Sequence, residues 1–304
     1  MSTTESTPLI GIVTVLYNCD EVLQGFFESL AAQIDVCFHL YVIDNGSTES
    51  GAQLSTALAS KYGIAATVVF NNHNAGVARG NNQGIRLALA DGCSYVLLAN
   101  NDTEFAPATI RHLFNVLVDG SERAATPKMT YFDPPNQIWY GGGHINAWTM
   151  RTPHYGMREE DRGQYDKPRH VGYAPTCFLL FDAKIFEEIG LMDEAYFVYY
   201  DDTDFIWRMA AQGIRLRYVP ASVVKHKVSS STGGGESPFS LYYTNRNRLY
   251  FIRKNLRGWR KAAALAYMLM TRVPRLSLLP SPLSKRGWAG VYDGFKMALP
   301  QDTA

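Results

Sequence analysis

Residues 9–17, Leu-Ile-Gly-Ile-Val-Thr-Val-Leu-Tyr, are a short apolar run rich in β-branched side chains that stops at Asn18. A run of this length without polar alternation is the pattern of a strand buried on both faces, as in a parallel sheet. Residues 21–33 follow with Val22, Phe26, Phe27 and Leu30 at helical spacing. The order then repeats: strand 38–43 stopped by Asp44-Asn45-Gly46-Ser47, helix 52–62, strand 65–70, helix 80–90 and strand 95–99 ending at Asn100. This succession predicts an α/β protein with a Rossmann-like, open, mostly parallel sheet flanked by helices. Ligands in such sheets bind beyond the carboxyl ends of the strands. The polar clusters Tyr17-Asn18, Asp44-Asn45, Asn71 to Asn74 and Asn100-Asn101-Asp102 all fall at those ends.

Beyond residue 100 the spacing predicts helices over 107–118, 183–189 and 203–212, a strand over 216–219, and a loop over 229–237. Residues 130–168, rich in Gly, Pro, Tyr and Trp, read as hairpins and loops. Helices over 241–255 and 259–272 complete the chain. At 304 residues, with 46% hydrophobic and 19% charged, this is a core-forming protein rather than a disordered one. Four cysteines without CxxC spacing fit a reducing compartment, and the first residues lack the basic and apolar segments of a signal peptide. A cytoplasmic protein is expected. The near-zero net charge conceals a polarity: residues 1–240 hold 17 Lys and Arg against 26 Asp and Glu, whereas residues 241–304 hold 12 against 2. An acidic body with a basic extension points to an anionic partner for the extension.

Residues 199–208, Tyr-Tyr-Asp-Asp-Thr-Asp-Phe-Ile-Trp-Arg, carry the densest chemistry. Three carboxylates this close repel unless cations, hydrogen bonds or solvent compensate. Near a helix start Asp202 and Asp204 point different ways, so one can face a cleft while the other caps the helix. Taken alone, the segment is equally well a solvated, acid-capped helix start. Asp44, followed by Asn-Gly-Ser, is either an Asx-turn residue or an acceptor for a base or ribose. Cys177 has no adjacent His or cation and reads as a buried small residue.

Six segments together resemble glycosyltransferase family 2, the inverting enzymes with a GT-A fold, and especially its bacterial rhamnosyltransferase-like branch. They are VTVLYN (13–18), VIDNGS (42–47), NHNAGVARGNNQG (72–84), LLANND (97–102), GLMDEAYFVYYDDTDFIWR (190–208) and VVKHKVSSSTGG (223–234). The resemblance implies a GT-A domain over 1–240, with a nucleotide-binding half to 102 and an acceptor and catalytic half from 103. A basic helical extension then covers 241–304. It implies sugar transfer from a nucleotide-diphosphate sugar, dTDP-rhamnose or a UDP-sugar, to a glycan or lipid-linked acceptor in cell-surface polysaccharide synthesis. Tyr17, Asn18, Asp44, Asn74, Gly76, Arg79, Asn82, Asn100 and Asn101 would contact the donor. Asn100-Asn101-Asp102 stands where the family has Asp-x-Asp, so Asp102, with His226, would hold a divalent metal, Mg or Mn. Asp202 would be the general base, with Asp201 orienting the site in place of the usual glutamate and Asp204 contacting the acceptor.

In the extension, Arg246, Arg248, Arg253, Lys254, Arg257, Arg260 and Lys261 interleave with aromatic residues. No nucleic-acid motif accompanies them, so no nucleic-acid partner is expected. The apolar stretch 262–270 is far shorter than the ~20 residues that span a bilayer. Its basic flanks suit a helix lying on an anionic membrane surface at the inner face of the cell membrane. A packed terminal helix or a homo-oligomer contact is the alternative. Two other functions fit parts of the sequence. A sugar-phosphate nucleotidyltransferase would need a glycine-rich triphosphate loop near the N-terminus, which residues 9–18 lack. A non-catalytic binding module is favoured by Asn100 and opposed by Asp102, Asp202 and His226.

Overall fold

The computed structural model describes residues 8–48, 50–227 and 237–300. The expected alternation is present as β1 (Leu9–Leu16), α1 (Asp20–Ala31), β2 (Cys37–Asp44), α2 (Gly51–Tyr62), β3 (Ala66–Phe70), α3 (Val77–Ala90) and β4 (Tyr95–Ala99). These four strands are parallel, in the spatial order β3-β2-β1-β4. Ile10, Ile12, Val13 and Leu16 of β1 are fully buried, as a strand covered on both faces requires.

The second half continues with β5 (Thr103–Phe105), α4 (Thr109–Val118), β6 (Ala124–Tyr131), β7 (Ile138–Tyr140), β8 (Arg169–Val171) and β9 (Phe178–Asp182). Then come α5 (Lys184–Ile189), α6 (Asp201–Ala211), β10 (Leu216–His226), α7 (Pro238–Asn255), α8 (Gly258–Leu278) and α9 (Ser281–Lys296). The sheet runs on from β4 through antiparallel β9 to β6, β10 and β5, giving a GT-A-type α/β architecture with helices at its C-terminal end.

Three differences from the sequence expectations have physical causes. β6 is a buried strand although its sequence, AATPKMTY, contains Pro127 and Lys128. Lys128 is tolerated there because its ammonium pairs with Asp161 and Asp166, each at 2.6 Å. β10 does not stop at Val219: the register against β6 shifts between Val219 and Val223, and this irregularity carries the strand past Pro220 to His226. α9 was not expected, yet it lies against α7 so closely that a Cβ on Gly290 would sit 2.3 Å from the Tyr242 carbonyl oxygen. The loop expected over 229–237 falls outside the described residues except for Ser237, whose hydroxyl accepts from the Ser240 amide and caps α7.

Candidate active site

The carboxyl ends of β1, β2 and β4 converge on a cavity of about 590 Å³ lined by Tyr17, Asn45, Asn74, Gly76, Asn100, Asn101 and Asp102. Asn101 is fixed by donating to the Val15 carbonyl at 2.7 Å, and the Asn100 amide by donating to the Cys177 carbonyl at 2.8 Å. Asp44, at the end of β2, is fully buried. One of its oxygens accepts from the Ser47 amide at 2.9 Å, and Oδ2 has no partner among the described residues. Asn18 lies beside this cavity rather than among its lining residues, with its side-chain oxygen accepting from Thr48.

Asp102 and His226 meet because β10 pairs antiparallel with β5, His226 opposite Thr103. His226 Nε2 is 3.2 Å from Asp102 Oδ1, both side chains are close to buried, and the Trp139 ring stands edge-on to the imidazole at 4.5 Å. Among the described residues no third His, Cys, Asp or Glu joins them to form a protein-only metal cage. A carboxylate that lines the cavity, with an imidazole beside it, is a donor pair that fits a divalent ion.

Besides Asn18, three donor contacts expected from sequence are not among the lining residues: Asp44, which is fully buried beneath the cavity-lining strand ends, Arg79 and Asn82. Arg79 points to Glu194 at 3.5 Å on the exposed face of α3, and Asn82 is buried, exchanging hydrogen bonds with the Met192 backbone. Neither lines the cavity. Their role in this structure is to tie α3 to the segment that leads into the acidic motif.

That segment is unusual. Phe197, Tyr199 and Tyr200 all have positive φ (65°, 63° and 68°), a conformation non-glycine residues rarely adopt. At Phe197 the Val198 amide donates back to the Tyr196 carbonyl at 2.8 Å, closing a tight three-residue turn. α7 holds this strained chain in place. The Asn247 amide nitrogen lies 2.6–2.8 Å from the carbonyls of Tyr196, Val198 and Tyr199, and Arg246 donates to those of Ala195 and Tyr196. From the other side the Val77 amide donates to the Phe197 carbonyl at 2.6 Å. Gly76 is needed there: its φ is 88°, and a Cβ would lie 2.5 Å from the same carbonyl oxygen. Strain held by surrounding contacts in this way is typical of functional loops.

Beyond the strained loop lies a second cavity, about 550 Å³, lined by Arg151, Tyr173, Tyr199, Tyr200, Asp202 and Thr244 among others. Asp202 faces it. Its Oδ2 accepts from the Tyr173 hydroxyl at 2.5 Å, and its Oδ1 from the Thr203 amide and hydroxyl at 2.6 and 3.1 Å. Burial raises the pKa of Asp202, while these three donors pull it back. The adjacent Asp201 is buried and is met by backbone amides. Burial first, then repulsion from Asp202, pushes it up to about 8. Burial thus raises both members of the pair, and the hydrogen bonds from Tyr173 and Thr203 favour the ionised form of Asp202.

Asp204 departs from its expected place. It neither caps the helix, whose N-cap is Tyr200, nor lines a cavity. It is 0% exposed, and its oxygens are taken by Tyr196, Arg208, Lys254 and Asn255 at 2.8–3.1 Å. An acceptor could reach it only by breaking this network, so its position is that of a structural hub joining α6 to α7. The basic extension is corrected by the same observation. Arg246, Arg253, Lys254 and Lys261 bond to protein carbonyls or carboxylates, and Arg248 is buried, so much of the charge faces inward.

The aromatic side of the first cavity was not foreseen. Phe197 stacks on Tyr243 with ring centres 5.0 Å apart, and Phe239 adjoins it at 4.7 Å. Tyr243 and Phe239 come from the start of α7, where sequence offers only an aromatic cluster.

A parallel sheet whose strand ends line a polar cavity, joined to antiparallel strands and an acidic helix start, defines a glycosyltransferase of the GT-A fold. The chain belongs to glycosyl transferase family 2, whose family model matches residues 11–190. It is 25% identical over 282 residues to the N-acetylglucosaminyl-diphospho-decaprenol L-rhamnosyltransferase of Mycobacterium tuberculosis, covering 84% of this chain and 88% of that one. The dTDP-rhamnosyl transferase RfbF of Shigella flexneri is 25% identical over 192 residues, 60% of this chain and 61% of its own. In fold, the chain is similar to the mannosyltransferase PcManGT of Pyrobaculum calidifontis, solved with GDP-Man and Mn2+. The TM-score is 0.57 at 16% identity, covering 95% of this chain and 85% of that one.

Proposed function

We propose that this glycosyltransferase works with inversion, moving a sugar from a nucleotide-diphosphate sugar to a hydroxyl of a glycan or lipid-linked acceptor. The observation that carries the reading is the pair of cavities on either side of the strained 197–200 loop, one lined by Asp102 and the other by Asp202. The donor nucleotide occupies the first, with Asp44 and Tyr17 toward the base and ribose and Asn74, Gly76 and Asn100 toward the diphosphate. The acceptor enters the second.

Asp202 takes the proton of the acceptor hydroxyl as its oxygen attacks the anomeric carbon. The new carbon–oxygen bond forms on the face opposite the leaving group, the bond to the diphosphate breaks, and the nucleoside diphosphate departs with the electron pair. Tyr173 and Thr203 orient the base, and the strained loop sets its height between the cavities. Asp102 and His226 would hold a divalent ion, which when bound supplies positive charge to the diphosphate. The names of the two rhamnosyltransferase relatives favour dTDP-rhamnose among the donors. Mixing the protein with dTDP-rhamnose and a panel of UDP-sugars should release nucleoside diphosphate with at least one of them. Turnover only with a nucleoside triphosphate and a sugar phosphate, with release of pyrophosphate, would overturn the reading.

A membrane surface as the site of acceptor supply is supported by α8. No described helix is long and apolar enough to cross a membrane. α8 nevertheless exposes Met270 (75%) and Leu278 (86%) together with Trp259 and Val273. Such a face inserts shallowly and is aided by basic neighbours. The protein is expected to sediment with anionic liposomes, and M270E with L278E to remain in the supernatant. Equal sedimentation of both, or of neither, would make α8 a purely structural element.

A further inference from the structure

Arg248 is the largest fully buried side chain of the protein, 1% exposed. Its guanidinium donates to the Thr149 carbonyl through one nitrogen, while Nε and Nη1 have no hydrogen-bond partner among the described residues. The Nε of Arg272, on α8, is likewise buried and without a hydrogen-bond partner among the described residues. Arg151 lines the cavity that Asp202 faces. All three act electrostatically on Tyr200, which lines the same cavity, as does Thr149, and donates its hydroxyl to the Met150 carbonyl at 2.9 Å. Among the described residues none of these three arginines forms an ion pair with a carboxylate. Desolvation and mutual repulsion lower the pKa of Arg248 and bring Arg272 down to about 10. Buried Arg248 has the face of the Tyr267 ring at 5.8 Å but no carboxylate, whereas buried Lys128 and Lys254 are matched by carboxylates.

From this cluster we infer a phosphoryl-anion site formed by Arg151, Arg248 and Arg272 beside the Asp202 cavity, which holds a phosphate or diphosphate carried by the acceptor. Arginine forks match phosphate oxygens in geometry and supply the missing charge partner. The inference rests on the glycosyltransfer reading in assigning this cavity to the acceptor. A lipid-borne phosphate is favoured over a free one by the neighbouring apolar surface: Trp148, one residue before Thr149, is exposed and lies 5.7 Å from exposed Trp259.

The test is thermal unfolding of the full chain at low salt in EDTA, titrated with inorganic pyrophosphate and with farnesyl diphosphate. An anion bound by the native state raises Tm with concentration. Both probes should do so for wild type, and farnesyl diphosphate should act at lower concentration. R272Q and R248M should shift the midpoint concentration upward by about tenfold or more, as expected for loss of a charged hydrogen bond. N74A, a change in the lining of the donor cavity, should leave it unchanged, which separates this site from that cavity. If R248M does not fold, R272Q and R151A carry the test. Equal potency of the two probes would keep the anion site and overturn its lipid-borne source. No rise with either probe, or equal rises in wild type and the arginine variants, would overturn the site. Donor hydrolysis by the same preparations keeps the two readings apart: its absence from wild type counts against the glycosyltransfer reading alone.

Discussion

Asp202→Asn is expected to lower sugar transfer about 10²–10⁴-fold while leaving nucleotide-sugar binding close to wild type. The amide keeps the shape of the side chain and can still meet the Tyr173 hydroxyl and the Thr203 amide. It cannot take a proton. Because the donor cavity is lined by other residues, the affinity for nucleotide diphosphate should hardly move. The same logic fixes the pH profile. A base must be deprotonated to act, and burial raises the pKa of both Asp201 and Asp202. Activity should therefore rise with pH along a limb displaced above the ordinary carboxylate range. Asp201→Asn should leave that limb close to its wild-type position, because burial rather than repulsion from Asp201 raises Asp202. Rate measurements across pH for the three proteins check both statements. Near-wild-type turnover of D202N would remove Asp202 from the role of base.

The second large effect is expected at Asp102. Asp102→Ala should weaken nucleotide-sugar binding and cut turnover by about 10²-fold or more, because the link between protein and diphosphate charge is lost. His226→Ala should act in the same direction and less strongly. Excess EDTA should reproduce the Asp102 phenotype in wild type, and Mn2+ or Mg2+ should restore activity. Asn100 is a neutral neighbour where a second carboxylate would bind more tightly, so affinity for the ion rests chiefly on Asp102. Full activity in EDTA would show that protein cations alone stabilise the leaving group.

The parallel half of the sheet was legible in the sequence because doubly buried strands are written as uninterrupted apolar runs, as in residues 9–17. Their polar ends then located the first cavity without any structure. The other half was harder to read. β6 hides behind Pro127 and Lys128, and only the pairing of Lys128 with Asp161 and Asp166 makes such a strand acceptable in the core. Read locally, β10 ends at Pro220, and its continuation depends on an irregular pairing with β6. Asp204 is chemically identical to Asp202 in sequence. What separates them is the arrival of Lys254 and Asn255, some fifty residues downstream, on one and not the other. The arginine cluster is invisible for the same reason: Arg151, Arg248 and Arg272 come from three distant segments, and a basic helix reads as solvated until its packing is known.

Inverting transfer is tested most directly by the anomeric configuration of the product. With a turned-over nucleotide sugar, proton NMR of the first-formed glycoside should show the configuration opposite to that of the donor, accompanied by one nucleoside diphosphate per sugar transferred. Retention of configuration in that first product would contradict single-step attack assisted by Asp202.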